Sequence, residues 1–170
     1  ALASLAFENG RSVLILLPRK KSTVEVSAML NKAGFSAVSL TSQTALKNRS
    51  SILKRVRQGE RVIICATQLA DEGLDLPCLD TLINASAGKA QGRAIQRAGR
   101  IMRIQEGKKK PIVFDLVDGQ PFLSQWRSRL VAYRSEIGTE PLDPVDPKTS
   151  AKLILENNCF IWSKNDLSSS

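Results

Sequence analysis

Short aliphatic runs alternate with amphipathic segments along most of the chain. Each run has the length of a buried strand, and none is long enough to span a bilayer. We predict strands at residues 11–17, 35–40, 61–66, 79–83 and 111–117. We predict helices at residues 22–33, 48–58, 91–102 and 122–136. Strands that alternate with helices form βαβ units, so the predicted fold class is α/β, with a parallel sheet and helices on both faces.

The first two predicted helices carry recognisable start, stop and packing signals. Ser22 and Glu25 have the spacing of a capping box, and Gly34 is a natural stop signal. An apolar stripe at helical spacing lies between them: Val26, Met29, Leu30 and Ala33. In the second helix we expect an inward face, made of Ile52, Leu53 and Val56.

The strong basic charge of the chain narrows the classes of partner. The net charge is +9 over 170 residues; basic residues dominate the chain up to residue 134, and acids dominate after it. A basic body indicates a polyanionic partner, most often nucleic acid. Charge alone is weak evidence, since many basic faces are only solvated.

The residue types that the chain lacks exclude other chemistry. It contains no histidine, and its three cysteines have no paired spacing. These features disfavour a metal site and exclude a serine or cysteine nucleophile activated by histidine within this chain. We expect thiols in a reducing compartment and neither a signal peptide nor a membrane span, which predicts an intracellular protein.

The first stretch with unusual chemistry is residues 66–77, with the sequence ATQLADEGLDLP. Parallel sheets bind ligands beyond the carboxyl ends of their strands, where this stretch begins. A strand that runs into a hydroxyl and free backbone N–H groups suits a phosphate. Gly73 permits a tight turn, and the Asp75 carboxylate that follows can accept hydrogen bonds from ribose hydroxyls. A capped turn with Asp75 bound to local backbone N–H groups explains the pattern equally well.

The second stretch is residues 91–103, with the sequence QGRAIQRAGRIMR. On a helix, Arg93, Arg97 and Arg100 share one face, and Arg103 continues it. Guanidinium groups on one stripe repel one another unless an anion lies opposite, and they match phosphate oxygens well. The alternative is an exposed basic helix paired with surface acids, but few acids lie nearby in the sequence.

These two stretches, in this order and at this separation, resemble motifs V and VI of superfamily 2 helicases. Residues 13–20 resemble their motif IV, and the resemblance extends over about residues 10 to 135. The second stretch, followed by IVFDLVD at residues 112–118, is most similar to the DNA-acting, phage-type branch. Gln68 stands where DEAD-box members carry Asp, and Ile101-Met102 also departs from many members.

The resemblance implies roles in ATP hydrolysis for the second stretch. Such enzymes hold ATP with Mg²⁺ between two RecA-like domains, and the second domain contributes arginines. On this basis Arg100 and Arg103 are the expected arginine fingers, which stabilise charge in phosphoryl transfer. Arg97 matches the structural arginine of motif VI, and Gln96 matches the position that couples the nucleotide and nucleic-acid sites. Asp75 matches the ribose or nucleotide contact.

The resemblance also implies a nucleic-acid contact. Thr67 matches a contact to the phosphate backbone of a single strand, with Gly73 beside it. From the residues alone, Arg19 follows the first predicted strand, and Ser42 and Gln43 follow the second, so either loop could reach phosphates. A solvated basic turn explains Arg19 equally well.

The chain has no GxxxxGK[ST] phosphate loop and no magnesium-binding acidic box. We therefore expect a RecA-like domain at residues 11–137 that lacks its own phosphate loop. Residues 1–10 are interpreted as a linker from a missing upstream RecA-like domain, which would hold most of the ATP and Mg²⁺. Residues 138–170, rich in proline and acids, are interpreted as a linker and tail. We predict no ATPase activity from the isolated chain.

Three functional classes follow from these features. The leading prediction is the second motor domain of an ATP-dependent helicase or translocase, acting on nucleic acid, with DNA favoured over RNA. The alternative is a non-catalytic RecA-like module that binds nucleic acid or a partner protein. A free-standing cofactor-binding enzyme ranks last, because the chain lacks a glycine-rich turn between strand and helix and a general base.

Overall fold

The computed structural model of the protein describes residues 1–67, 76, 78–85, 108–116, 129–131, 133–135, 152 and 161–164. The helices within them are α1 (Leu2–Glu8), α2 (Lys20–Lys32) and α3 (Leu46–Arg57). The strands are β1 (Val13–Leu17), β2 (Ala37–Leu40), β3 (Ile63–Thr67), β4 (Thr81–Asn84), β5 (Ile112–Leu116) and β6 (Ile161–Lys164). Residues 129–131 and 133–135 are also helical.

Within these described ranges, six strands form one sheet in the order β2-β3-β1-β4-β5-β6. Every neighbouring pair is parallel. The predicted α/β class and parallel sheet are therefore confirmed. Each predicted strand is present with slightly narrower or shifted bounds, because aliphatic runs such as Val13–Leu17 are buried throughout.

Alternate side chains of the strands build two cores, one on each face of the sheet. Leu14 and Leu16 of β1 lie in the first core, together with Leu53 and Val56 of α3. The second core takes the intervening β1 residues and is covered by α1 and α2. Helices therefore cover both faces, and the predicted inward side of α3 is confirmed.

Helix α2 differs from its prediction in both start and packing. It begins at Lys20, its N-cap is Arg19 in an extended conformation, and no side chain caps it, so the capping box predicted at Ser22 and Glu25 is wrong. Thr23 Oγ1 instead donates to the Arg19 carbonyl at 2.9 Å. The side chain of Thr23 lies inward and is fully buried, and Ser27 is also buried, with 7% exposure.

The apolar stripe predicted for α2 is only partly buried. Val26 and Leu30 pack against the second core, whereas Met29 is 71% exposed. Small inward residues let the helix lie close to β2 and β3, so that side of α2 is less apolar than its spacing suggested. The predicted stop at Gly34 fits its φ of +88°, which glycine adopts without strain.

Segments outside the predicted domain bounds contribute to the fold. Residues 1–10, interpreted as a linker, contain α1, and Ala6 of this helix is fully buried in the second core. Arg61 lies over the Phe7 ring, with its Cζ 4.5 Å from the ring centroid, and also donates to the Phe7 carbonyl. A cation at the carboxyl end of a helix is favourable. Strand β6, within the interpreted tail, pairs with β5.

Candidate functional site at the carboxyl edge of the sheet

The carboxyl ends of the parallel strands meet along one side of the sheet, here called the carboxyl edge. The last residue of β3, Thr67, lies opposite Leu17, the last residue of β1. On the other side of β3, Ala66 lies opposite Leu40, the last residue of β2. The three loops that follow these strands therefore start side by side, as ligand-binding loops of parallel sheets do.

Thr67 is the central polar residue of this edge. The residue is 6% exposed, and its Oγ1 has no hydrogen-bond partner in the part of the chain that the structure describes. A buried hydroxyl without a partner costs about 1–3 kcal/mol. Such a group is typical of a site that a ligand completes, and a phosphate oxygen can accept from the Thr67 hydroxyl.

The loop after β2 has a fixed shape. Thr44 Oγ1 accepts from the Thr41 backbone N–H at 2.9 Å, and Thr41 Oγ1 accepts from the Gln43 backbone N–H at 3.2 Å. Hydroxyl turns of this kind hold a loop in one conformation. Ser42 and Gln43, at the tip, are exposed and stand one strand away from Thr67.

The loop after β1 brings positive charge to the same edge. Arg19 and Lys20 are exposed at the start of α2, directly after β1. Lys21 is also exposed and lies 3.8 Å from Glu25. Exposed cations at the same sheet edge as a buried hydroxyl without a described partner suit a phosphate chain. The structure thus brings together the predicted residues Arg19, Ser42, Gln43 and Thr67.

The other predicted site residues, including the structural arginine of the second motif, lie outside the described residues. They are Gly73, Asp75, Gln96, Arg97, Arg100 and Arg103. The chain segments next to them are described. Leu76 is fully buried in the first core, and Ala85 donates its backbone N–H to the Leu16 carbonyl at 2.9 Å. The roles of these six residues stay predictions.

Four buried polar residues form a network near the carboxyl ends of β4 and β5 that was not predicted from the sequence. We call this group, Asn84, Asp115, Arg129 and Tyr133, the Asp115 network. Asp115 accepts from Arg129 Nε at 2.6 Å and from Arg129 Nη2 at 3.1 Å. It also accepts from the Tyr133 hydroxyl at 2.7 Å and from Asn84 Nδ2 at 3.4 Å. None of the four is more than 3% exposed. The available signal was an aspartate inside an apolar run, with Arg129 and Tyr133 four apart in a predicted helix.

Burial dominates the electrostatics of this network. Desolvation raises the pKa of Asp115, and the nearby Arg129 charge opposes that rise. Burial, followed by the Asp115 carboxylate, raises the pKa of the Tyr133 hydroxyl well above its ordinary value. Tyr133 therefore remains a hydrogen-bond donor.

A second group of polar residues lies at the opposite, amino edge of the sheet; we call it the Asp80 network. Arg11 Nη1 lies 3.4 Å from Asp80 Oδ1 and donates to the Lys110 carbonyl at 3.0 Å. The Thr81 hydroxyl donates to Asp80 Oδ1 at 2.7 Å. Desolvation raises the pKa of Asp80, opposed first by the Thr81 hydrogen bond. This network joins the starts of β1, β4 and β5.

Over the described ranges, no group of three or more Cys, Asp or Glu side chains could hold a metal ion. Across the same ranges, no helix has the length and apolarity needed to cross a bilayer. A buried hydroxyl beside exposed cations fits phosphate oxygens, such as those of ATP or a nucleic-acid strand, better than it fits a metal.

Comparison with known proteins gives matches in sequence and in structure. Residues 1–105 match the family described as "Helicase conserved C-terminal domain". An ATP-dependent rRNA helicase of Schizosaccharomyces pombe is 32% identical over 114 residues, which are 67% of this chain and 24% of the relative. A probable helicase of Escherichia phage T5 is also 32% identical, over 136 residues, 79% of this chain and 30% of the relative. The chain therefore spans less than a third of either relative.

The solved C-terminal domain of the DEAD-box protein Dbp5 superposes with a TM-score of 0.67 at 20% identity. The match covers 91% of this chain and 89% of that domain. At this identity the likeness concerns the fold, which is that of a RecA-like domain. An rRNA helicase and a phage helicase match at the same identity, so these similarities do not separate the DEAD-box branch from the phage-type branch.

Proposed function

The chain belongs to the helicase conserved C-terminal domain family, and from this premise we propose that it is the second motor domain of an ATP-dependent nucleic-acid helicase or translocase. In this proposal it acts together with a first RecA-like domain that holds most of the ATP and Mg²⁺. The carboxyl edge then faces both the nucleotide and the nucleic-acid strand.

The observation that carries the proposal is the Thr67 hydroxyl, buried at the carboxyl edge without a partner among the described residues. A group of this kind is costly in a domain that binds nothing there. The exposed cations after β1 and the fixed turn after β2 flank it, and they extend the edge into a track for a phosphate backbone.

The proposed chemistry assigns a task to each residue of the two motifs. ATP with Mg²⁺ supplies the transferable γ-phosphoryl group and its negative charge. Arg100 and Arg103 place guanidinium groups against that charge as it develops in the transition state. Asp75 accepts hydrogen bonds from the nucleotide. Gln96 couples the nucleotide contact to the strand contact at Thr67, while Arg97 holds the motif in shape.

A substitution of Arg100 tests the catalytic part of the proposal. In the protein that joins this chain to its first motor domain, Arg100→Ala should lower kcat for ATP by about 10³-fold or more, because loss of an arginine finger has this magnitude. Strand binding should stay within about two-fold, since Thr67 and its flanking loops are intact. The measurements are a coupled ATPase assay and fluorescence anisotropy with a labelled oligonucleotide.

The matched control for this substitution is Arg55→Ala. Arg55 is an exposed arginine in the last turn of α3 that pairs with Glu60. Turnover in this control should be unchanged. Equal turnover in Arg100→Ala and in the unmodified protein would contradict the motor function and favour the alternative, a non-catalytic module that binds nucleic acid or a partner protein. ATP hydrolysis by the isolated chain would contradict the proposed division of labour.

The identity of the nucleic acid is a separate part of the proposal. The phage-like form of the second motif supports DNA, and the matched rRNA helicase supports RNA. We propose DNA on the strength of that motif. Competition between DNA and RNA oligonucleotides of one sequence, at one salt concentration, tests this choice. Tighter binding of RNA would reverse it without affecting the motor assignment.

A further inference from the structure

The Asp115 network lies where β4 leaves the sheet. Asn84 is the last residue of β4, and Asp115 is its register partner on β5. The chain continues through Ala85 into residues 86–103, which contain the predicted arginine fingers. The network is therefore attached to the strand end from which that segment starts.

The geometry of the network fixes this strand end from two directions. The bidentate contact of Arg129 with Asp115 ties β5 to the helical residues 129–131, and Asn84 ties β4 to the same carboxylate. Ala85 is held from the other side by its backbone bond to Leu16 of β1. A planar guanidinium fork on a carboxylate defines orientation as well as distance.

A buried group of four polar side chains is not the most favourable way to stabilise a domain. Apolar residues of similar volume often replace a buried ion pair with no loss of stability. Buried networks can serve instead to select one arrangement of the elements that they join. Here those elements are β4, β5 and the helical residues 129–131 and 133–135.

We propose that the Asp115 network positions the carboxyl end of β4 for catalysis, so that the segment continuing from Ala85 presents its arginines to the nucleotide in a productive geometry. This inference rests on the proposed function. Asp115, Arg129 and Tyr133 are positioning residues: they act through residues 86–103 and do not touch the nucleotide. Misplacement of a catalytic group by about 1 Å can cost up to about 10²-fold in rate.

The test compares two substitutions that each delete one buried hydroxyl. Tyr133→Phe removes the donor at 2.7 Å from Asp115, and Thr81→Val removes the donor at 2.7 Å from Asp80. Both residues are fully buried, and both substitutions nearly conserve shape. The two lesions therefore match in chemistry and burial and differ in the edge of the sheet that they affect.

Steady-state ATPase kinetics of the protein with its first motor domain give the readout. Tyr133→Phe should lower kcat roughly ten-fold, because the arginine fingers act on the transition state, and it should leave KM for ATP within about two-fold. Thr81→Val should change neither constant by more than about two-fold. Thermal unfolding of both proteins shows whether their losses of stability are comparable.

Equal effects of the two substitutions on kcat, or no effect of Tyr133→Phe, would overturn the inference while leaving the motor function in place. Absence of turnover in the unmodified protein would overturn the proposed function and this inference with it. If Tyr133→Phe does not fold, Arg129→Lys is measured against the same control. It keeps the charge but loses the bidentate contact, and it must meet the same split between kcat and KM.

Discussion

The two edges of the sheet each bury one aspartate beside one arginine, and they differ in what surrounds the pair. At the amino edge, Asp80 meets Arg11 through a single 3.4 Å contact, and the Thr81 hydroxyl is bound to Asp80. At the carboxyl edge, Asp115 holds Arg129 through two contacts, yet the Thr67 hydroxyl has no described partner. Both edges therefore bury an ion pair, and the carboxyl edge combines a bidentate pair with a buried hydroxyl that has no described partner.

Under the proposed function, this contrast separates polar groups that stabilise the fold from a hydroxyl that binds a ligand. The Asp80 network joins three strand starts far from any loop of the candidate site. The Asp115 network lies on β4 and β5 along the same carboxyl edge, with β1 between β4 and the strand that carries Thr67. Fixed strand ends along a binding edge are an arrangement that suits preorganised sites.

The largest expected effect comes from removing the carboxylate of the stronger clamp. Asp115→Ala should lower the free energy of unfolding by about 3–5 kcal/mol, because it removes the carboxylate that the buried Arg129 guanidinium contacts twice. Asp80→Ala should cost less, since Arg11 keeps its 3.0 Å bond to the Lys110 carbonyl. Urea unfolding of both variants measures the difference. A loss at Asp80 equal to or larger than that at Asp115 would break the comparison of the two edges.

Smaller, opposite effects are expected from deleting the two threonine hydroxyls. Thr81→Val should destabilise the protein by about 1–2 kcal/mol, because it removes the 2.7 Å hydroxyl donor of the buried Asp80 carboxylate. Thr67→Val should leave stability unchanged or raise it by about 1 kcal/mol, because the deleted hydroxyl has no described partner. The same Thr67→Val change should weaken oligonucleotide binding about ten-fold, the cost of one hydrogen bond to a charged group.

Thermal unfolding and anisotropy titrations on the same two samples test this pair of predictions. A destabilisation by Thr67→Val as large as that by Thr81→Val would mean that the Thr67 hydroxyl is bound within the fold. Unchanged oligonucleotide binding in Thr67→Val would remove Thr67 from the proposed strand contact.

Some of this organisation was predictable from sequence and some was not, for physical reasons. Uniform aliphatic runs such as Val13–Leu17 leave little choice other than a buried parallel strand, and the edge position of Thr67 follows directly from such a run. The rotation of α2 was not predictable, because Thr23 and Ser27 are buried for their small size and not for their hydrophobicity. Periodicity analysis counts apolar residues only.

The Asp115 network was missed for a different reason. Its members come from two strands and a distant helix, and only the folded register brings Asn84 next to Asp115. In the sequence, Asp115 belongs to the segment at residues 112–118 that resembles the helicase family, and it had no predicted role. A charged residue inside an apolar strand predicts a buried partner, but sequence alone does not say which residue that partner is.

The last expected effect is a pH dependence of stability, and it concerns the buried interior of the sheet between the two edges. Cys65 is the middle residue of β3 and is fully buried. Burial raises the pKa of its thiol to about 12. In the unfolded chain its pKa is about 8.5. Above that pH the unfolded state loses a proton that the folded state keeps, so stability contributed by this thiol falls as pH rises from about 8.5 toward about 12.

A comparison with Cys65→Ala isolates this contribution, because the other groups that titrate in alkali are common to both proteins. The stability advantage of the unmodified protein over Cys65→Ala should shrink by about 1.4 kcal/mol between about pH 7.5 and about pH 9.5. Urea unfolding at the two pH values measures it. A constant difference would show that water reaches β3. In that case the ion pairs at the amino and carboxyl edges would be weaker than the burial of their aspartates suggests, because water in the interior screens both pairs.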